Sequence, residues 1–267
     1  MPLPLFCVDA FTDKPFTGNP AAVCLLPRPA DEHWMQSVAT EMNLSETAFV
    51  TPIEQAVFGL RWFTPAAEVD LCGHATLAAA HVLWETSAVA GANPIRFHTR
   101  SGELVCSRRE NWIEMDFPSL ESHPAPPPPG LLESLGVAPI HVAASRFDHL
   151  VRVKSEAEVR AVNPDFRALA AIQTRGVILT APSDDPAFDF VSRCFAPSVG
   201  VDEDPVTGSA HCCLGPYWSR ILNRSTLTAR QLSRRSGIVR AEIRGDRVIL
   251  SGQAVTVHRG ELQAVLL

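Results

Sequence analysis

At 267 residues, with 46% hydrophobic and 19% charged side chains, the chain has an ordinary soluble composition and room for two domains of roughly 120 to 130 residues each. A formal net charge of −6 leaves no basic face for nucleic acid or for an anionic membrane. No run approaches the ~18 apolar residues of a membrane span, and Met1 to Phe6 lacks the basic start and long apolar core of a signal peptide, so the expected compartment is the cytoplasm.

Leu5 to Ala10 alternates weakly and reads as a strand, Thr12 to Asn19 supplies turn residues, and Ala21 to Leu26 reads as a second strand. The chain therefore opens with a hairpin. Gly18-Asn19-Pro20 lies at its bend, where Asn19 either hydrogen-bonds its own backbone or aims an amide at a ligand. Asp31 is an N-cap signal for a helix running to Met42, with Trp34, Val38 and Met42 at four-residue steps. The next run, Ser45 to Thr51, is a strand with Glu46 at its start among Leu44, Ala48 and Phe49. A carboxylate there is either exposed on the polar face or turned inward, where it would be placed for proton transfer.

Arg61 to Trp84, RWFTPAAEVDLCGHATLAAAHVLW, returns in imperfect copy between Arg193 and Trp218 as RCFAPSVGVDEDPVTGSAHCCLGPYW. The copies agree at Phe63-x-Pro65 and Phe195-x-Pro197, at Val69-Asp70 and Val201-Asp202, and at Gly73-x-Ala75 and Gly208-x-Ala210 after about three extra residues in the second. Each copy passes from an apolar strand through a Pro turn to a Gly that opens a helix. His74 to Trp84 is apolar almost all the way round, so this helix should be enclosed on every side. Its free amides at Gly73 and His74, like those at Gly208 and Ser209, would then hold an anion. Read blandly, they are only helix starts with a Gly for close packing. Two such helix starts facing each other across a pseudo-twofold would close a pocket for a small carboxylate.

Ile95 to Thr99, Glu103 to Ser107 and Trp112 to Phe117 read as strands completing a wall around the first helix. The stretch from His123 through Pro129 to Gly130 reads as a stiff polyproline link and marks the expected boundary between a first half, residues 1–123, and a second, residues 130–267. The second half offers a short helix at Leu131 to Leu135, strands at His141 to Ser145 and Leu150 to Val153, and helices at Ala157 to Asn163 and Asp165 to Ile172. Strands at Gly176 to Ala181 and Phe188 to Phe195 lead into the second copy. There Gly215-Pro216 should kink the helix near Cys212, whose carbonyl loses its partner. Gly237 to Ile243, Arg247 to Ser251, Gln253 to His258 and a short Glu261 to Leu266 close the chain as strands. The seven cysteines are odd in number and scattered, without a CxxC pair or zinc spacing, and read as reduced small hydrophobes. No metal, nucleotide or pyridoxal phosphate motif is present, and none is expected as a cofactor.

Four motifs taken in order carry a family resemblance: Asp9-Ala10-Phe11-Thr12 with Phe16-Thr17-Gly18-Asn19-Pro20-Ala21-Ala22-Val23, Asn43-Leu44-Ser45-Glu46-Thr47-Ala48-Phe49, Leu71-Cys72-Gly73-His74-Ala75-Thr76, and Glu203-Asp204-Pro205-Val206-Thr207-Gly208-Ser209-Ala210. Over nearly its whole length the chain resembles the PhzF-like phenazine biosynthesis isomerases of the diaminopimelate epimerase-like superfamily. The resemblance implies an α+β fold of two similar, pseudo-twofold-related halves, each a curved mixed or antiparallel sheet wrapped round one apolar helix. It also implies a C-terminal segment of about 260–267 that crosses back to the first half, and a homodimer. The implied chemistry is isomerisation of a small carboxylate substrate, with no nucleic acid or membrane partner.

By the same resemblance Glu46 is the acid/base, and His74, Asp204 and Ser209 surround the reacting part of the substrate. Asn19, Cys72, Gly73, Thr207 and Gly208 would line its binding site. A two-thiol racemase of the same superfamily needs a cysteine before each helix Gly, and Thr207 stands in the second position, its hydroxyl far too weak an acid to replace a thiol. Two rival readings stand beside the single-glutamate isomerase: that two-base epimerase, and a catalytically idle small-molecule binding protein that has kept the fold.

Overall fold

Short runs of β-branched and aromatic residues between turn formers give a sheet-rich fold in the computed structural model, which describes residues 2–91 and 93–263. In chain order the first elements are β1 (Leu3–Ala10), β2 (Asn19–Leu25), α1 (Glu32–Met42), β3 (Glu46–Glu54), β4 (Val57–Phe63), β5 (Glu68–Val69), α2 (Gly73–Glu85), β6 (Ile95–Thr99), β7 (Gly102–Arg109) and β8 (Trp112–Pro118). They are followed by β9 (His123–Pro124), α3 (Leu131–Leu135), β10 (His141–Ala144), β11 (Asp148–Arg152), α4 (Glu156–Ala161), α5 (Phe166–Ala170), β12 (Gly176–Pro182), β13 (Phe190–Ala196), β14 (Val201–Asp204), α6 (Gly208–Leu222), β15 (Thr226–Gln231), β16 (Gly237–Arg244), β17 (Arg247–Gly252) and β18 (Ala254–Leu262). Two units result, one ending at Asp116 but taking in the chain from Ser251 onward, the other Phe117–Leu250. Among the described residues no helix is long and apolar enough to cross a membrane.

In the first unit β1 lies antiparallel between β18 and β2, β2 runs parallel to β3, β3 antiparallel to β4, β4 parallel to β6, and β6 antiparallel to β7. The short β5 hangs on the end of β4. In the second unit β10 lies antiparallel between β9 and β11, β11 runs parallel to β12, β12 antiparallel to β13, β13 parallel to β15, and β15 antiparallel to β16, with β14 on the end of β13. The same succession of neighbours thus occurs twice. It is the backbone counterpart of the sequence repeat.

Each unit covers its sheet on both faces. Burial along β2 is nearly continuous rather than alternating, as expected for a strand enclosed on two sides. Ala22 and Cys24 join Met35, Val38 and Ala39 of α1 in one core cluster, while α2 packs against β1, β2, β3 and β18. His74 to Ala80 and Val82 to Trp84 are all buried, so the all-round apolar pattern does specify an enclosed helix. In the second unit, residues of β12 split between two clusters: Val177, Leu179 and Ala181 meet α3, α4 and α5, and Ile178 meets Ala210, Leu214 and Trp218 of α6.

Two expectations are corrected. The first unit closes at Asp116 rather than 123, because His123–Pro124 pairs with β10 and the Ala125 amide donates to the Val142 carbonyl; the polyproline stretch begins as an edge strand, not a free link. The return to the first unit begins at Ser251 rather than 260, with β18 paired along β1 from Ala10↔Ala254 to Leu3↔Leu262. Residues 264–267 of that expected segment lie outside the described residues. Through Pro216 α6 continues as one helix, and the Cys212 carbonyl, deprived of its helical partner by the proline as expected, accepts the Leu120 amide at 3.1 Å.

Candidate active site

Glu46 is the first residue of β3 and Asn19 the first of β2, and the parallel register sets Ala21 beside Glu46. Delivery of Asn19 depends on Gly18, whose φ of +68° is left-handed and where a Cβ would run into the Ala10 carbonyl and the Thr12 side chain. Asn43 ends α1 in the left-handed conformation, which turns the chain toward Glu46. Cys72 is the N-cap of α2 and His74 lies in its first turn.

These elements bring four predicted side chains together within the first unit. His74 Nε2 stands 3.0 Å from Glu46 Oε2. On the other side of the ring, Nδ1 meets Asn19 Nδ2 at 3.3 Å and Cys72 Sγ at 3.4 Å. Ser45 Oγ donates to Asn19 Oδ1 at 3.3 Å and fixes which end of the amide faces His74. Glu46 Oε2 and His74 Nε2 are buried at ion-pair distance yet off the line of a good hydrogen bond, so both keep capacity for a ligand or a transferred proton.

Electrostatics separates the imidazole from the thiol. Burial opposes a charged His74 while the facing Glu46 carboxylate favours one; the further pull of Cys72 acts only when that thiol is ionised. Burial and the nearby Glu46 charge push the Cys72 pKa up, against a smaller pull from His74. Cys72 is therefore a neutral thiol near neutral pH, and the lasting counter-charge to His74 is Glu46. One donor atom each of Glu46, Cys72 and His74 falls within 4.8 Å of the others, the group among the described residues with the atoms to ligate a metal ion.

The second unit assembles the other predicted residues at the start of α6. Thr207 is its N-cap, and its hydroxyl donates to Asp204 Oδ2 at 2.5 Å. The Thr207 amide donates to Gln231 Oε1 at 2.9 Å, while Gln231 Nε2 donates to the Asp204 carbonyl at 2.7 Å and to Thr207 Oγ1 at 3.2 Å. The fully buried Gln231 thereby locks the loop that carries Asp204. Gly208 is buried and Ser209 half-buried in the first turn, where Ser209 Oγ accepts from Arg175 Nη2 at 3.2 Å.

Sequence reasoning passed over Ser45, Asp148, Arg175 and Gln231. Ser45 stood inside a quoted motif, beside Glu46. Gln231 ends β15, a strand not assigned from the sequence, although Leu227, Ala229 and Gln231 are buried in alternation as in a strand with one covered face. Asp148 and Arg175 are lone charges at the ends of loops, and nothing in their spacing pairs them.

Comparisons with known proteins identify the family. The family model described as phenazine biosynthesis-like protein matches residues 8–260. An isomerase of Halalkalibacterium halodurans, itself uncharacterized, is 53% identical, the match covering 98% of this chain and 99% of that protein. The crystal structure of a PhzF family phenazine biosynthesis protein from Enterococcus faecalis superposes with a TM-score of 0.94 at 43% identity, covering 99% of this chain and all of that one. A probable proline racemase from Agrobacterium radiobacter shares the fold alone, with a TM-score of 0.64 at 12% identity over 99% of this chain and 93% of that one. With the family matched along almost the entire chain, and relatives of this identity named as isomerases, this protein belongs to the PhzF-like phenazine biosynthesis family of isomerases.

Proposed function

We propose that this isomerase moves a proton on a small carboxylate substrate with Glu46 as its single acid/base. The observation that carries the reading is the 3.0 Å approach of Glu46 to His74, beside a Cys72 whose thiol is held neutral. Glu46 as carboxylate takes a proton from a carbon activated by the substrate's own carboxylate, and the C–H electron pair passes into the conjugated, enolate-like anion. His74 stabilises that charge. The protonated Glu46 then returns the same proton to another atom, so the reaction needs no external oxidant or reductant. Ser209 binds the carboxylate, and Asp204, held by Thr207 and Gln231, binds an amine or a protonated group. Assembly as a homodimer is proposed on the family resemblance alone and is checked by sedimentation at low concentration.

The test compares two variants in D₂O on one responsive substrate, with deuterium followed into product by NMR. Glu46→Gln keeps size and hydrogen bonding but removes the titratable group, so turnover should fall by the ~10² to 10⁴ typical of a lost general base while ligand still binds. Cys72→Ser should keep most of its activity. The reverse pattern, with the serine variant dead and the glutamine variant near normal, rejects the single-glutamate mechanism in favour of a thiol. A protein that saturates with ligand but exchanges none of its hydrogens is a binder, not an enzyme.

A further inference from the structure

Asp148 and Arg175 form an ion pair that neither the family motifs nor the proposed chemistry uses. Asp148 is buried, yet both of its carboxylate oxygens are spent on Arg175: Oδ1 accepts from Nε at 2.9 Å and Oδ2 from Nη2 at 2.5 Å. Burying a carboxylate is costly unless a partner compensates it with good geometry, and a planar two-point fork does so. Gly176 makes room for this fork, since a Cβ there would stand 3.1 Å from Asp148 Oδ1. Arg175 is further fixed by stacking over the Phe147 ring at 4.9 Å, by its amide donating to the Phe147 carbonyl at 3.2 Å, and by its own carbonyl accepting from Ser198 at 3.2 Å. What this anchoring leaves directed elsewhere is the Nη2 donation to Ser209 Oγ at 3.2 Å.

We infer that Arg175 is a positioning residue that, braced by Asp148, sets the Ser209 hydroxyl as a hydrogen-bond donor to the substrate's carboxylate. A serine oxygen that accepts from a guanidinium has one of its two lone pairs engaged there, which turns its own proton away from Arg175 and toward another acceptor. The neighbouring positive charge also makes that O–H a better donor to an anion. With Arg175 removed, nothing sets the direction of the hydroxyl, and the carboxylate specificity of this subsite is lost. The inference rests on Ser209 binding the carboxylate, as proposed above.

The test uses isothermal titration of anthranilate against its neutral counterpart 2-aminobenzamide, so that the readout is preference for a carboxylate rather than binding as such. Because Arg175→Met alone strands a buried carboxylate and risks misfolding, the working variant is the double change Asp148→Asn with Arg175→Met, checked for an intact thermal transition. Its preference for anthranilate should fall roughly 10- to 100-fold, as for a lost charge-assisted hydrogen bond, and Ser209→Ala should lose a similar factor. Arg175→Lys keeps the charge but not the fork and should recover only a minor part. If Ser209→Ala loses the preference and the double variant keeps it, Arg175 is not a positioning residue while the carboxylate role of Ser209 stands. If the wild type shows no preference, or Ser209→Ala retains it, the carboxylate role itself fails and this inference falls with it.

Discussion

His211 makes the stability of this protein depend on pH in a window that can be worked out in advance. Its ring is fully buried one turn into α6, stacked on Phe190 with centroids 6.1 Å apart, and Nδ1–H donates to the Thr207 carbonyl at 2.8 Å. Burial pulls its pKa down to about 4, although the Thr207 carbonyl favours the charged form. In the unfolded chain the same ring titrates near ~6.5. The folded value is the lower one, so between the two the unfolded state binds more protons, and stability falls as pH is lowered through that interval; above it, the contribution is complete. The full gap is worth roughly 3 kcal/mol, and the part between about pH 5 and 6.5 roughly 2 kcal/mol. Burial also lowers the pKa values of His81 and His149, which contribute in the same direction, so a variant difference is needed. His211→Asn keeps a donor for the Thr207 carbonyl but cannot be protonated. Its baseline stability will drop, yet urea unfolding followed by tryptophan fluorescence should show a slope between about pH 5 and 6.5 that is shallower than wild type by that ~2 kcal/mol. Parallel slopes for the two proteins would refute the reasoning.

Two further outcomes follow from packing and from the loop lock. At Gly252 an added Cβ would lie 2.6 Å from Leu77 Cδ1 and also strike the ring of the buried Phe11, so Gly252→Ala should cost about 1–3 kcal/mol of overpacking in urea denaturation. Gln231→Leu leaves the Thr207 amide and the Asp204 carbonyl without their partners, and should cost about 1–3 kcal/mol by the same measurement. If Asp204 binds substrate as proposed, that variant should also raise KM, whereas unchanged kinetics with reduced stability would make Gln231 purely structural.

The central helix is legible because it is written locally, whereas the chemical side chains are singled out by the family resemblance, local pattern leaving Asn19 and Glu46 open. An all-round apolar run such as Ala75 to Leu83 has no exposed face to offer, and Asn19, Glu46, Cys72 and His74 each stand at the first residues of an element, where chain direction alone brings them close. What stayed hidden depends on partners distant in sequence. Asp148 and Arg175 meet across a separation of 27 residues, and their pairing rests on a parallel ladder between β11 and β12 that no local pattern announces. The boundary was misplaced for a related reason. Prolines at 124 and 126–129 read as a spacer, but an edge strand tolerates proline where its missing amide faces no neighbour, and β9 is such an edge.

The two copies of the repeat show which of its parts serve the frame and which the chemistry. In the first, Arg61 forks onto Glu68, with Nε to Oε1 at 2.6 Å, and its guanidinium lies 5.3 Å over the Phe63 ring. In the second, Arg193 forks onto Glu203 at the same 2.6 Å and lies 4.9 Å over Phe195. The arginines align in sequence, but the glutamates do not: Glu68 precedes Val69-Asp70, and Glu203 follows Val201-Asp202. Both nevertheless clamp the short strand after the Pro turn to the strand before it, the same structural task met from different positions. The helix starts that follow have diverged instead. Cys72-Gly73-His74 supplies an imidazole beside a carboxylate, and Thr207-Gly208-Ser209 supplies two hydroxyls, one committed to Asp204 and the other to Arg175. The insertion before Gly208 is what brings Asp204 within reach of Thr207. The Thr207 hydroxyl is far too weak an acid to serve as a thiol would, so the second copy holds no equivalent of Cys72. The duplicated frame thus supports an asymmetric division of labour, with proton transfer proposed for the first copy and recognition of the substrate's charged groups for the second.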